Sequence, residues 1–466
     1  MKNNKVLKEG ERKLYIPSKV NLKELILAEN TERYLNDHQD KYAYVLSKII
    51  EMSIFSREKR NGLIPLHAAT LQSILGCKYK KVLEDLLRWN VIITDNHFKT
   101  DEESKGYAIS RKYQSKAKEV LILNERFATK LKKKQSTEWS KEAHYVLSQL
   151  RYIHIDHDTA LNYIDHKLTE TISLIKSLPV KNIYNNFLQI VDSSTTKDYY
   201  SVPLKDRKLY SCSNFKDHES LIDIMNRKYN ADFYAIMNLW NRKWSFEVDK
   251  NTGRVYTFIT NLSSCLRQFL FHVKFPDKAL VNIDIKNSQP FIFCSLLIEE
   301  YGSDIPDDVK KYITLCESGK LYDFLMKEIS YQGSRKEFKQ LFFSTLFYCK
   351  NNYSDKSKEL MFFRSAFPNV YKIVRKLKTE DYKYLSKVMQ TYEANVIINK
   401  VVKTLKKNSI FLTTIHDSVI VFEEDADKVK KTVIKNFVKQ YKITPSLDVE
   451  RLFKETYGLS VDKIAA

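Results

Sequence analysis

The sequence predicts an α+β protein, and three observations carry that expectation. Apolar residues recur at helical spacing through most of the chain, short β runs gather beyond residue 246, and one such run ends in an aspartate while another turns on one. Only 9 Gly and 9 Pro in 466 residues leave little room for long linkers or β-rich repeats. At this length two or three domains are the default.

Residues 1–135 read as a module of their own. Tyr42 to Ser56 has helical periodicity, with Tyr44, Leu46, Ile49, Ile50 and Ile54 apolar. Leu66 to Leu75 predicts a short second helix stopped by Gly76, and Tyr79 to Trp89 a third with Val82, Leu83, Leu86 and Leu87 on one face. A β run at Val91–Thr94, a polar turn and a second β run from Tyr107 follow. That order is the order of a winged helix-turn-helix, which makes Lys78, Lys80 and Lys81 candidate DNA contacts; protein contact is the competing use of such a module. Lys130-Leu-Lys-Lys-Lys134 marks either a domain boundary or a solvated charge cluster.

Residues 136–245 are helical in pattern, as at His144–Arg151 and Leu168–Leu178, and carry no motif. Residues 246–466 mix β runs with long helices. The runs are Arg254–Ile259, Ala279–Asp284 and an apolar hairpin over 410–422 with His416-Asp417 at its turn.

The 78 Lys and Arg against 57 Asp and Glu give a formal charge of +21, which points first to a polyanionic partner such as nucleic acid. The six Cys are scattered without a CxxC pair, which argues against zinc modules and a disulfide framework and suits a reducing cytoplasm. No apolar segment follows Met1, and the longest apolar stretch, Phe291–Ile298, is too short to cross a bilayer. A cytoplasmic protein without a membrane partner is expected.

Asp284 and Asp417 carry the chemistry. A carboxylate at the tip of a buried strand needs a partner, and a divalent cation is the usual one. Two such residues on neighbouring strands can hold two metals about 3.5–4 Å apart, the arrangement used for in-line phosphoryl transfer. Between them, Arg335, Lys339, Phe343 and Phe347 recur every fourth residue and form one slowly winding stripe on a helix. Two cations suit a triphosphate and two rings suit a base and its sugar; an amphipathic core helix is the competing reading.

Five segments in order give a resemblance to the palm and fingers of family A DNA polymerases, the class of bacterial DNA polymerase I. Thr252-Gly253-Arg254 with Asn261-Leu262 is similar to the segment whose Arg and Asn touch the primer-template duplex. Asp284 to Gln289 resembles the first metal-binding motif, and the 335–347 stripe has the spacing of the fingers helix that grips the incoming nucleotide. Gln390, with Ala394 and Asn395, looks like the helix that places a Gln in the duplex minor groove. Ile415-His416-Asp417 with Val421-Phe422-Glu423 is similar to the last motif, which carries the second metal-binding Asp.

The resemblance implies a right-hand polymerase with palm and fingers over 246–466 (fingers about 300–388), a reduced helical thumb over 136–245 and the winged-helix-like module over 1–135. It implies two Mg²⁺ ions, with Mn²⁺ as an alternative, on Asp284 and Asp417. Lys339 and Arg335 would take the phosphates, Phe343 the sugar and base, Phe347 the underside of the new pair, and His416 the primer terminus. The partners would be dNTPs and a DNA primer-template, with an RNA template as an alternative. A winged helix before such a core implies recruitment to a particular DNA site, as in phage, plasmid or mobile-element replication.

Three residues depart from the pattern. Gln289 stands where the family has a Glu that walls off the sugar 2′ position, Phe347 where it has Tyr, and Ser418 where it often has Glu. The bulk of Gln289 favours dNTPs. His-Asp-Ser also occurs in phage single-subunit RNA polymerases, so an RNA polymerase or primase is the alternative. A non-catalytic replication initiator or DNA-binding regulator is a third reading.

Overall fold

A computed structural model describes residues 13–55, 63–96, 104–131, 139–177, 218–242, 246–351 and 358–452. They fall into two compact units, one of residues 1–135, 155–244 and 262–266, the other of 136–154, 245–261 and 267–466. The three consecutive regions expected from sequence thus give way to two interleaved ones. The expected thumb region falls partly outside the described residues (136–138, 178–217 and 243–245), as do Lys132–Lys134 of the charge cluster.

In the first unit, β1 (Lys13–Pro17) pairs antiparallel with β5 (Ala117–Leu121), Tyr15 opposite Glu119. Between them run α1 (Leu22–Leu27), α2 (Glu32–Phe55), β2 (Ile64–Pro65), α3 (Ala68–Leu75), α4 (Tyr79–Arg88), β3 (Ile92–Thr94) and β4 (Gly106–Ile109). The helix α2 starts ten residues before the expected Tyr42. Its first turns read as polar, and the buried carboxylate of Asp40 accepts from the backbone amides of Leu123 and Asn124 at 3.0 and 2.8 Å. Gly76 ends α3 at φ +71°, a conformation that costs a residue without Cβ little. The sheet order β2-β4-β3 adds a strand that two residues of sequence could not announce.

Val82 and Leu86 of α4 are fully buried with Leu46 of α2 and Val91, so one face of α4 is committed to the core. On that face Asp85 accepts from the Tyr42 hydroxyl at 2.5 Å and pairs with Lys81 at 3.3 Å and Arg88 at 2.6 Å. Lys81 is therefore engaged within the fold, whereas Lys78 and Lys80 are exposed. After α5 (Glu125–Lys130), α6 (Lys141–Leu150) and β6 (Ile153–Ile155), the helices α7 (His157–Ser177) and α8 (His218–Trp240) return to the first unit. Asn230 of α8 accepts from the Ala117 amide and donates to the Ser115 carbonyl, and Phe233 and Tyr234 pack edge-on to Tyr15. Those contacts hold α8 to the N-terminal segment.

The second unit is built on a four-stranded sheet of order β11-β12-β10-β13. Its strands are β10 (Leu280–Ile285), β11 (Thr413–Ile415), β12 (Ser418–Phe422) and β13 (Leu447–Arg451), and every pair is antiparallel. The central strands β10 and β12 are apolar and almost wholly buried. Two short hairpin strands, β7 (Phe246–Val248) and β8 (Val255–Thr257), and the strand β9 (Leu270–His272) precede them. The β run expected over Arg254–Ile259 is thus shorter, because Thr257 turns back on itself through Thr260.

From β10 the chain enters α9 (Ser288–Tyr301), α10 (Asp307–Glu317), α11 (Leu321–Glu328) and α12 (Arg335–Phe342). Then come α13 (Lys358–Ala366), α14 (Pro368–Leu377) and α15 (Tyr384–Val396), which continues through a wider-wound turn (Ile397–Val402) into α16 (Lys403–Lys407); α17 (Ala426–Tyr441) precedes β13. Phe293, Tyr312, Phe342, Phe347, Phe363 and Phe367 are all fully buried and meet at edge-on or tilted angles. No helix among the described residues is long and apolar enough to cross a membrane.

Candidate active site

The site grows from the ends of two paired strands. In β10 and β12, Leu280 faces Phe422 and Ile283 faces Val419, so the register carries Asp284 to the end of β12 where the β11–β12 hairpin turns. The turn is two residues long, because Ile415 faces Ser418. Those residues are His416 and Asp417, with His416 at φ +54°. A non-glycine in this left-handed region is strained by about 1–3 kcal/mol, which the flanking strands must hold. The two aspartates feel each other. The Asp284 carboxyl is pushed up to about 7, by burial first and then by the negative charge of Asp417, while Lys339 and Arg267 act against the rise.

Beside Asp284, the chain leaves the sheet through Asn287 at φ +53° and starts α9 with Ser288 and Gln289 in its first turn. Asn287 is 4% exposed, and its side-chain oxygen accepts from Arg335 Nη2 at 3.3 Å. Arg335 also donates through Nε to Asp323 at 2.9 Å and lies over the Tyr322 ring. Lys339, one turn further along α12, is exposed.

The expected α-helix from Ser334 to Tyr348 requires a correction. Ser334 and Glu337 form a capping box at its start, but Phe343–Phe347 is a π-helical turn in which the Tyr348 amide donates to the Phe343 carbonyl at 3.0 Å. One extra residue in the turn makes a five-residue step, not a four-residue one, bring side chains into line. Phe347 accordingly points into the aromatic core with no exposed surface. Tyr348 instead stacks on Phe343 at 5.6 Å, with 42% of its surface exposed. Desolvation raises the Tyr348 hydroxyl pKa, which Arg254 opposes and Glu393 and Asp417 reinforce. The stripe therefore runs Arg335, Lys339, Phe343, Tyr348.

Thr252-Gly253-Arg254 closes the β7–β8 hairpin. Asp249 accepts from the Asn251 and Thr252 amides, and Gly253 sits at φ +74°. Arg254 leaves this turn and donates Nη2 to Glu393 of α15 at 2.6 Å. Gln289 donates Nε2 to the same Glu393 oxygen at 3.0 Å. Glu393 is fully buried, and its carboxyl is pushed up to about 8 by burial and by Asp417, with Arg254 opposing. The His416 ring packs edge-on to Tyr256 at 5.1 Å; burial and Arg254 lower its pKa. Gln390 lies one turn before Glu393 on α15 and is half-buried, and Asn261 is exposed after β8. A hollow of about 360 Å³ is lined by Trp139, Ser140, Asn251, Thr252, Thr391 and Asn395.

Asp284, Gln289, Arg254, Lys339, His416 and Asp417 thus share one charged neighbourhood within the second unit. Three residues in it escaped sequence reasoning. Glu393 is a lone charge shortly before the apolar run Val396 to Ile398, a signal that the neighbouring Gln390 and Asn395 obscured. Tyr348 depends on the π turn, which leaves no pattern. Asp448 faces Asp284 across β10–β13, on an edge strand that sequence did not announce.

Among the described residues no group of three or more His, Cys, Asp or Glu side chains converges on a metal position. Two mutually repelling carboxylates nevertheless fit Mg²⁺, which takes one or two protein carboxylates and completes its shell with water and phosphate oxygens.

No family model and no curated protein matches the chain. Among solved structures it is similar to the polymerase domain of Pol1 from M. smegmatis, described in complex with DNA primer-template and dNTP. That match has 11% identity and a TM-score of 0.44 over 66% of this chain and 69% of that one.

Proposed function

We propose that the second unit is a template-directed nucleic-acid polymerase, and specifically a DNA polymerase that adds dNTPs to a primer 3′ end. The observation that carries this reading is the pair Asp284 and Asp417 at adjoining strand ends, where burial first and then the charge of Asp417 push Asp284 up to about 7, with the cations Lys339 and Arg267 alongside. Such a pair has an electrostatic need that a divalent cation meets. Asp284 and Asp417 would hold Mg²⁺, which when bound supplies charge neutralisation at the attacking and leaving oxygens.

The chain's own residues do the rest. Lys339 and Arg335 bind the triphosphate, and Lys339 is the proton donor nearest the leaving pyrophosphate. Arg335 is held in reach by Asp323 and Asn287. Phe343 and Tyr348 offer a stacked aromatic surface to the sugar and base, a role sequence had given to Phe343 and Phe347. Gln289 faces the sugar, while Arg254, Asn261, Gln390 and His416 contact the primer-template.

The first unit is read as a DNA-recruitment module on the order α2, β2, α3, α4, β3, β4, with Lys78 and Lys80 as the contacts. An RNA-synthesising enzyme is the second reading, favoured by the His416-Asp417-Ser418 turn. Incorporation on DNA and RNA templates with dNTPs and rNTPs, with and without primer, decides between them. Primer-dependent dNTP incorporation is expected; unprimed rNTP incorporation would favour the second reading, and no incorporation in any arm would overturn both.

A further inference from the structure

Three groups meet where none was expected. Glu393 has no exposed surface, and a single oxygen of its carboxylate, Oε2, takes both Arg254 Nη2 at 2.6 Å and Gln289 Nε2 at 3.0 Å. The chemistry fixes which way the Gln289 amide points. Oε2 already accepts from Arg254 and takes the Gln289 NH₂ as a second donor, so the NH₂ end faces Glu393 and the carbonyl end, Oε1, faces away. Gln289 Oε1 is buried and has no hydrogen-bond partner, as is the case for Glu393 Oε1. An amide with one end tethered to a buried, immobile acceptor loses the rotational freedom that an untethered Gln keeps.

We infer that Glu393 is a positioning residue for nucleotide selection, holding Gln289 against the sugar so that ribonucleoside triphosphates are rejected. The inference deepens the polymerase reading and rests on it. Bulk alone is a weak filter when the bulky group can swing aside; a difference of one small group at a soft wall is worth only about 10–200-fold. Tethering makes the wall stiff. Glu393 supplies the tether from α15, Arg254 holds Glu393 in place from the β7–β8 turn, and Gln289 presents the wall from the first turn of α9. The same oxygen thus joins the residue assigned to the primer-template with the residue assigned to the sugar.

The experiment compares kcat/KM for dNTP and for the matching rNTP on a primed DNA template, in the full-length protein and three variants. Gln289→Leu keeps the bulk and removes the donor, Glu393→Ala removes the tether, and Glu393→Gln keeps an acceptor oxygen for both donors. The dNTP preference is expected to fall roughly tenfold in Gln289→Leu and in Glu393→Ala, mainly through a lower KM for rNTP, and to stay within about threefold in Glu393→Gln. The double variant Gln289→Leu/Glu393→Ala is expected to lose no more than either single change.

A wild-type preference retained by Gln289→Leu, which leaves Glu393 and Arg254 paired and so keeps the fold, would overturn the inference while leaving the polymerase reading intact. Additive losses in the double variant would overturn it as well. A wild-type protein that incorporates neither nucleotide would remove the reading and the inference together.

Discussion

Tyr348 stacks on Phe343 with ring centroids 5.6 Å apart and planes 19° from parallel, while Phe347, one residue earlier, has no exposed surface. The π turn separates two neighbouring aromatics into different jobs. Tyr348→Ala is expected to raise KM for the nucleotide by roughly 5- to 150-fold, the worth of about 1–3 kcal/mol of stacking, with little change in melting temperature. Phe347→Ala is expected to cost about 3–5 kcal/mol in urea unfolding through the cavity it leaves. A KM loss confined to Phe347→Ala would reverse the assignment.

The π turn also needs support. The helix ends with it, which leaves the Leu346 carbonyl to be satisfied from outside, and Lys378, 3% exposed, donates Nζ to it at 2.5 Å. Lys378→Met keeps the packing of the stem and orphans that oxygen. A loss of about 1–3 kcal/mol is expected in equilibrium unfolding. An unchanged unfolding midpoint would show that the carbonyl finds another donor.

Much of the second unit was legible because buried β strands and a two-residue turn write themselves into sequence. Ala279 to Ile283 is apolar but for Asn282 and ends at Asp284, and the hairpin over 410–422 carries its only ionisable residues at His416-Asp417, so strand, turn and carboxylates are legible in the sequence. Glu393 was not legible in the same way. Its meaning comes from Arg254 and Gln289, which lie 139 and 104 residues away along the chain. The π turn at Phe343–Phe347 was hidden because a four-residue aromatic spacing is what an unbroken α-helix would also show. That α7 and α8 group with the N-terminal segment was not legible, because a contact such as that of Asn230 with the Ala117 amide leaves no mark in the pattern of α8.

His272, 3% exposed, lies among the rings of Tyr152, Phe275, Phe411 and Phe422, and burial together with Lys274 and Lys278 lowers its pKa below 6.5. The unfolded chain then binds a proton that the folded chain refuses. Stability from this site is complete above a pH of about 6.5 and is lost as pH falls from there through the folded pKa. The unfolding midpoint of His272→Phe is expected to drop less between pH 7.5 and 5.5 than that of the wild type. Equal drops would exclude His272 as a contributor.

Lys78 and Lys80 are exposed at the start of α4, whereas Lys81 is paired with Asp85. In duplex-DNA binding measured against salt, Lys78→Ala/Lys80→Ala is expected to weaken affinity and to flatten the log–log slope by about 1–2, as for one or two lost phosphate contacts. Lys81→Ala should leave the slope unchanged. A slope altered only by Lys81→Ala would put the DNA elsewhere on the module.

Primer extension by wild type, Asp284→Asn and Asp417→Asn at saturating Mg²⁺ and dNTP tests the central claim most directly. Each change keeps the side-chain shape and removes one charge of the pair, so both variants are expected to lose at least about 10³-fold in rate while retaining primer-template affinity. Extension at the wild-type rate by either variant would contradict the account.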